Sequence, residues 1–128
     1  MSRRDLSGYK CLVIEDDFLV AYDLMITLEL AGAMVLGPVS HVQHAMEVLH
    51  EPDLSFDAAI LDVHLHGETV FGAAEILLVR RIPFIFVTGG GTATLPGEFA
   101  HAPCLQKPAT ASDLITALLM LPRSITSQ

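Results

Sequence analysis

The chain is short of positive charge. Only 7 of its 128 residues are Lys or Arg against 15 Asp or Glu, a formal net charge of −8. That balance argues against a nucleic-acid backbone as a direct partner, since such binding rests on clustered cations. A cation or a basic protein face suits an acidic domain better. Cysteine is scarce too. Cys11 and Cys104 are the only two and lack the close spacing of a metal or redox motif. Each reads as a small buried hydrophobe in a reducing cytosol. No apolar stretch is long enough to span a bilayer. The polar start, Met1-Ser2-Arg3-Arg4-Asp5, is not followed by a signal-peptide core. The expectation is a cytoplasmic protein with no membrane contact. What the chain has in quantity is apolar side chain, 52% against 17% charged. At this length that means one compact domain rather than a disordered segment.

Taken in order, residues 1–8 read as an N-terminal arm, 9–121 as the domain and 122–128 as a tail. Cys11-Leu12-Val13-Ile14 is an apolar, β-branched run and predicts a central strand. Glu15-Asp16-Asp17 closes it. From Phe18 the period becomes helical, with Leu19, Tyr22, Leu24, Met25, Leu28 and Leu30 recurring up to a C-capping Gly32. Met34 to Val39 predicts a second strand, and Gly37-Pro38 suits it to an edge. Ser40 can cap a helix that carries Val42, Ala45, Met46, Val48 and Leu49 inward.

Ala58-Ala59-Ile60-Leu61-Asp62 is a third, fully buried strand. Thr69 to Arg80 predicts a helix, and Ile82 to Val87 a fourth strand ending at Thr88. Pro96 and Gly97 reduce the segment Thr92 to Ala102 to a short or distorted helix. Pro103 to Gln106 is a short fifth strand, followed by Lys107-Pro108 and a last helix capped by Ser112. Strands alternating with helices predict a doubly wound α/β fold: a parallel sheet covered on both faces, with right-handed crossovers.

In such a sheet the carboxyl ends of the strands share one crevice. Glu15 and Asp16 follow the first strand, Asp62 ends the third, Thr88 the fourth, and Lys107 follows the fifth. At roughly 5 Å and an effective dielectric of about 20, each pair of carboxylates repels by about 3 kcal/mol. The cluster therefore calls for a compensating cation. Oxygen ligands with room for water and a phosphate suit Mg²⁺ or Mn²⁺. The point charge of Lys107 and the hydroxyl of Thr88 suit phosphate oxygens. An aspartate beside these groups is equipped to accept a phosphoryl group, a transfer that depends on positioning and charge neutralisation.

On the residues Val13-Ile14-Glu15-Asp16-Asp17, Ile60-Leu61-Asp62-Val63, Val87-Thr88-Gly89 and Gln106-Lys107-Pro108, the chain resembles the receiver domains of two-component response regulators, over roughly Tyr9 to Leu121. The resemblance implies a flavodoxin-like, five-stranded sheet of order 2-1-3-4-5. It implies that Asp62 is the phospho-acceptor, served by a histidine kinase or phosphotransfer protein. Asp16, Asp62 and the backbone carbonyl of His64 would ligate Mg²⁺, with Glu15 acting largely through water. Thr88 and Lys107 would hold the phosphoryl oxygens. Output would be altered binding to a downstream protein, and a homodimer is compatible with it. The domain would not be an enzyme beyond its own phosphorylation and dephosphorylation. Met1 and the short tail suggest a complete, stand-alone chain. Pro83-Phe84-Ile85-Phe86-Val87-Thr88-Gly89 is also similar to the Pro-Phe-x-Phe-Ala-Thr-Gly run of a stress-signalling subgroup, with Val87 in place of its alanine.

Some positions depart from the family. Cys104 stands where most receivers carry a switching Tyr or Phe, Ala109 where a Phe is common, and His66 where a proline is frequent. The acceptor chemistry is kept while the read-out route is altered. A phosphorylation-independent interaction module and a phosphate sink without an output partner are the alternatives. A phosphatase of the dehalogenase type would need a second Asp at the position of His64. Gly90 is expected to leave the hydrolysing water's path open. The six histidines lack zinc-enzyme spacing and read as exposed side chains, and Gly89-Gly90-Gly91 lacks the Gly-Lys-Ser/Thr of a nucleotide-binding loop.

Overall fold

A computed structural model of the chain describes residues 5–89 and 95–122. Gly90, Thr92 and the run from Arg123 to Gln128 lie outside the described residues, and with them the expectation about Gly90. The main sheet is built from β1 (Lys10–Ile14), β2 (Met34–Val39), β3 (Ala58–Asp62), β6 (Phe84–Thr88) and β7 (Cys104–Gln106). All its pairings are parallel and its order is β2-β1-β3-β6-β7. This is the 2-1-3-4-5 order of the receiver-type flavodoxin-like sheet. The numbering differs because β4 (His64–Leu65) and β5 (Glu68–Thr69) form a separate antiparallel hairpin after β3. The hairpin takes Thr69, which helical periodicity assigns to the next helix, and Val70 becomes the N-cap, so α3 runs only from Phe71 to Arg80.

Side chains of the central strands alternate between two cores because successive Cβ atoms point to opposite faces. Leu12, Ile14, Ala59, Leu61, Phe84 and Phe86 face one core, and Cys11, Val13, Ala58, Ile60, Ile85 and Val87 face the other. α2 (Val42–Leu49) and α3 cover the first through Ala45, Leu49, Ala73, Ala74 and Leu77. α1 (Phe18–Leu30) and α4 (Ala111–Leu119) cover the second through Leu24, Leu28, Leu114 and Leu118. Burial on both faces is why β3 and β6 read as continuous apolar runs. Burial also pushes the Cys11 thiol up to about 12, which leaves it neutral. Cys104 is only half-buried.

Several local expectations change in three dimensions. Leu6, assigned to an arm, is buried in the second core, and its N–H bonds to Ala31 O at 2.9 Å. His41, not Ser40, is the N-cap of α2 and makes no side-chain cap bond. Thr110, not Ser112, caps α4, by accepting from Asp113 N–H at 3.0 Å. Leu19, Tyr22 and Leu30 follow the helical period of α1 yet stand exposed. Between β6 and β7 the described residues form a 3₁₀ turn, Gly97–Phe99, in keeping with the short or distorted helix expected there. Phe99 from that turn is buried against Phe71, Phe84 and Phe86.

β2 lies at the edge of the sheet, as its Gly37-Pro38 requires. The register shifts between Leu12 and Ile14 of β1, where Val13 alone stands opposite two residues of β2, Gly37 and Pro38. Gly37 lies within that irregularity at φ +110, where a Cβ would come within 2.6 Å of the Val13 carbonyl oxygen.

Candidate functional site

Among the described residues, three polar or charged side chains are buried: Glu15, Asp62 and Thr88. All three lie at the carboxyl ends of β1, β3 and β6, where an open α/β sheet forms its crevice. β7 delivers Lys107 to the same edge, where Lys107 N–H bonds to Thr88 O at 2.9 Å. The parallel topology alone thus brings together residues up to 92 positions apart.

Lys107 Nζ donates to Asp62 Oδ2 at 3.1 Å and to Glu15 Oε2 at 3.2 Å. It also lies 3.0 Å from Glu15 Oε1, the only buried side-chain oxygen without a hydrogen-bond partner among the described residues. Burial lowers the proton affinity of the Lys107 ammonium, but its bonds to Glu15 and Asp62 outweigh that and raise its pKa overall. Burial pushes the Glu15 carboxyl up to about 7, against the hydrogen bond that it accepts from Asp17 N–H.

Asp16 is the least buried member of the cluster, and it is held from the hairpin. Its Oδ2 accepts from His66 N–H at 2.8 Å. Burial raises its pKa, but that hydrogen bond and its neighbours bring the carboxyl below the ordinary range. Asp17 stands apart and caps α1, its Oδ1 accepting from Leu19 N–H at 2.9 Å and Val20 N–H at 3.1 Å. His64 N–H lies 3.4 Å from Asp62 Oδ1, while its side chain is exposed, as are those of the other five histidines.

One oxygen from each of Glu15, Asp16 and Asp62 falls within a 4.8 Å span. Oxygen-only donors, a buried Glu15 Oε1 with no hydrogen-bond partner beyond its ion pair with Lys107, and partial neutralisation by that one ammonium fit a hard divalent cation such as Mg²⁺. Two features of the site carry no signal in the sequence. The His66 amide that steadies Asp16 is a backbone group, and the stacking of the His66 and His41 rings joins two separate loops.

No protein-family model and no curated protein matches the chain. Solved structures do. The chain is 37% identical to SdrG from Sphingomonas melonis Fr1, with 94% of this chain and 100% of that one covered at a TM-score of 0.76. SdrG in its BeF3-activated conformation matches at 36% identity, 88% and 95% coverage, and a TM-score of 0.71. The signal receiver domain of a modulated diguanylate cyclase from Desulfovibrio desulfuricans G20 matches at 28% identity, 93% and 94% coverage, and a TM-score of 0.77. With that sheet order, the acidic crevice and these relatives, the chain belongs to the response-regulator receiver domains of two-component signalling.

Proposed function

We propose that this domain accepts a phosphoryl group on Asp62 from a histidine kinase or phosphotransfer protein and signals through altered protein binding. The observation that carries this reading is the shared ammonium: Lys107 bridges Asp62 and Glu15 while Asp16 completes a three-carboxylate cluster. In the transfer, Asp62 Oδ attacks phosphorus in line. The P–N bond to the donor histidine breaks, and the nitrogen leaves with its electron pair. Asp16, Asp62 and the His64 carbonyl, with Glu15 through water, would hold Mg²⁺, and the bound ion would supply neutralisation of phosphoryl charge. Lys107 turns from the carboxylates to one phosphoryl oxygen, and Thr88 donates its hydroxyl to another. This is self-modification, and we assign the domain no enzymatic activity beyond it. That SdrG has a BeF3-activated conformation supports the same chemistry here.

The donor's seat is read from α1. Phe18, Leu19 and Tyr22 are 75%, 74% and 57% exposed, and Leu19 and Tyr22 share a groove with Lys107, Pro108 and Ala109 beside the acceptor. An apolar face of this kind, next to the reacting group, suits a protein phosphodonor. Mg²⁺-dependent labelling by a phosphodonor, compared between wild type and Asp62→Ala, tests the reading. Equal labelling of the two would refute it.

Cys104 favours a second reading, an interaction module that works without phosphorylation. It stands in place of the usual aromatic switch and packs against the core that contains Phe84, Phe86 and Phe99. Beryllofluoride would leave the spectra of such a module unchanged.

A further inference from the structure

Two exposed imidazoles flank the acidic crevice without serving the chemistry above. The rings of His41 and His66 lie 4.2 Å apart between centroids, at 18° to each other. His41 opens α2, yet its side chain makes no cap bond. Its Nδ1 pairs instead with Ser40 Oγ at 2.9 Å. His66 sits at the tip of the β4–β5 hairpin with φ +49, and Gly67 follows at φ +83.

A side chain other than glycine is disfavoured in that left-handed region and needs support from its surroundings. The hairpin supplies little support, with only two residue pairs, His64 with Thr69 and Leu65 with Glu68. The His41 ring is stacked on the His66 ring at this corner. This corner also has a task, because it aims the His66 N–H at Asp16 Oδ2 from 2.8 Å. Lys107 orients Glu15 and Asp62. Asp16 is oriented from the hairpin.

We propose that His41 is a positioning residue: by stacking on His66 it fixes the hairpin corner whose amide orients Asp16 for a divalent cation. The inference rests on the metal-assisted reading above and refines it by naming what orients one ligand. An aromatic stack of this size corresponds to a change of about twofold to tenfold in an equilibrium.

The test compares wild type, His41→Ala and His41→Phe by hydrogen exchange of the His66 amide in metal-free protein and by Mg²⁺ titration followed in NMR spectra. His41→Ala should speed that exchange and weaken Mg²⁺ binding, each by about twofold to tenfold. His41→Phe, which keeps a planar ring, should restore both, and the urea midpoints should coincide. Unchanged exchange at His66 in His41→Ala would overturn the inference, as would faster exchange with unaltered Mg²⁺ affinity. A wild-type protein that binds no Mg²⁺ would refute the metal-assisted reading instead, and the exchange data would then decide alone whether His41 fixes the corner.

Discussion

Lys107 Nζ stands 3.0 Å from Glu15 Oε1, so the ammonium that reaches Asp62 is already engaged by a second buried carboxylate. The two acids compete for one cation, and much of the domain's behaviour in the absence of metal follows from that shortage.

The pH dependence of stability is the first consequence. The folded Glu15 carboxyl titrates at about 7 against 4.5 ordinarily, so the folded chain holds a proton that the unfolded chain has released. Glu15 therefore disfavours folding progressively as pH rises from 4.5 to 7, on the order of 3 kcal/mol. Asp16 acts in the opposite sense in a lower window, because its lowered pKa adds stability above its ordinary value of 3.8 that is lost as pH falls through the folded one. Urea unfolding in a chelator should show the decline between pH 4.5 and 7. Glu15→Gln should flatten it. A profile identical to wild type in that variant would contradict the assignment.

Asp62→Asn removes two repulsions, with Glu15 and Asp16, and one attraction, with Lys107. The variant should be more stable than wild type without metal by about 1 kcal/mol. It should also take up no phosphoryl label. Denaturant midpoints in a chelator check the first outcome, and acid-stable against acid-labile counts check the second. A destabilised Asp62→Asn would mean that Lys107 matters to the fold more than the crowding does.

The exposed side of α1 makes a separable prediction. Leu19→Asp and Tyr22→Glu lie outside both cores and should shift stability by less than about 0.5 kcal/mol. They should slow phosphotransfer from a protein donor at least tenfold, while labelling by a small-molecule phosphodonor is unaffected. Equal losses with both donors would place the damage in the site rather than in docking.

At the sheet edge, Gly37→Ala would set a Cβ 2.6 Å from the Val13 carbonyl oxygen at a φ of +110. Backbone strain and overlap together should cost about 2–4 kcal/mol, read as a lower urea midpoint at unchanged slope. Full stability in Gly37→Ala would show that β2 shifts to accommodate the methyl group.

The five-stranded sheet was legible in the sequence, and so was the gathering of Glu15, Asp16, Asp62 and Lys107 at its edge. Strands buried on both faces leave continuous apolar runs, and the polar residues closing Val13-Ile14, Ile60-Leu61 and Phe86-Val87 mark the carboxyl ends. Parallel pairing then admits only one crevice. Helix starts were less legible, because Ser40, His41, Thr110 and Ser112 compete within one or two positions and the turn geometry chooses among them. Periodicity in α1 marked Leu19, Tyr22 and Leu30 without saying which face they take, because that helix is apolar on both sides. The tertiary structure alone decided how the ammonium is divided between Glu15 and Asp62, and that a histidine pair joins two loops to steady Asp16. Those contacts depend on angstrom-scale placement and on a backbone amide, and every residue carries the same backbone amide whatever its one-letter code.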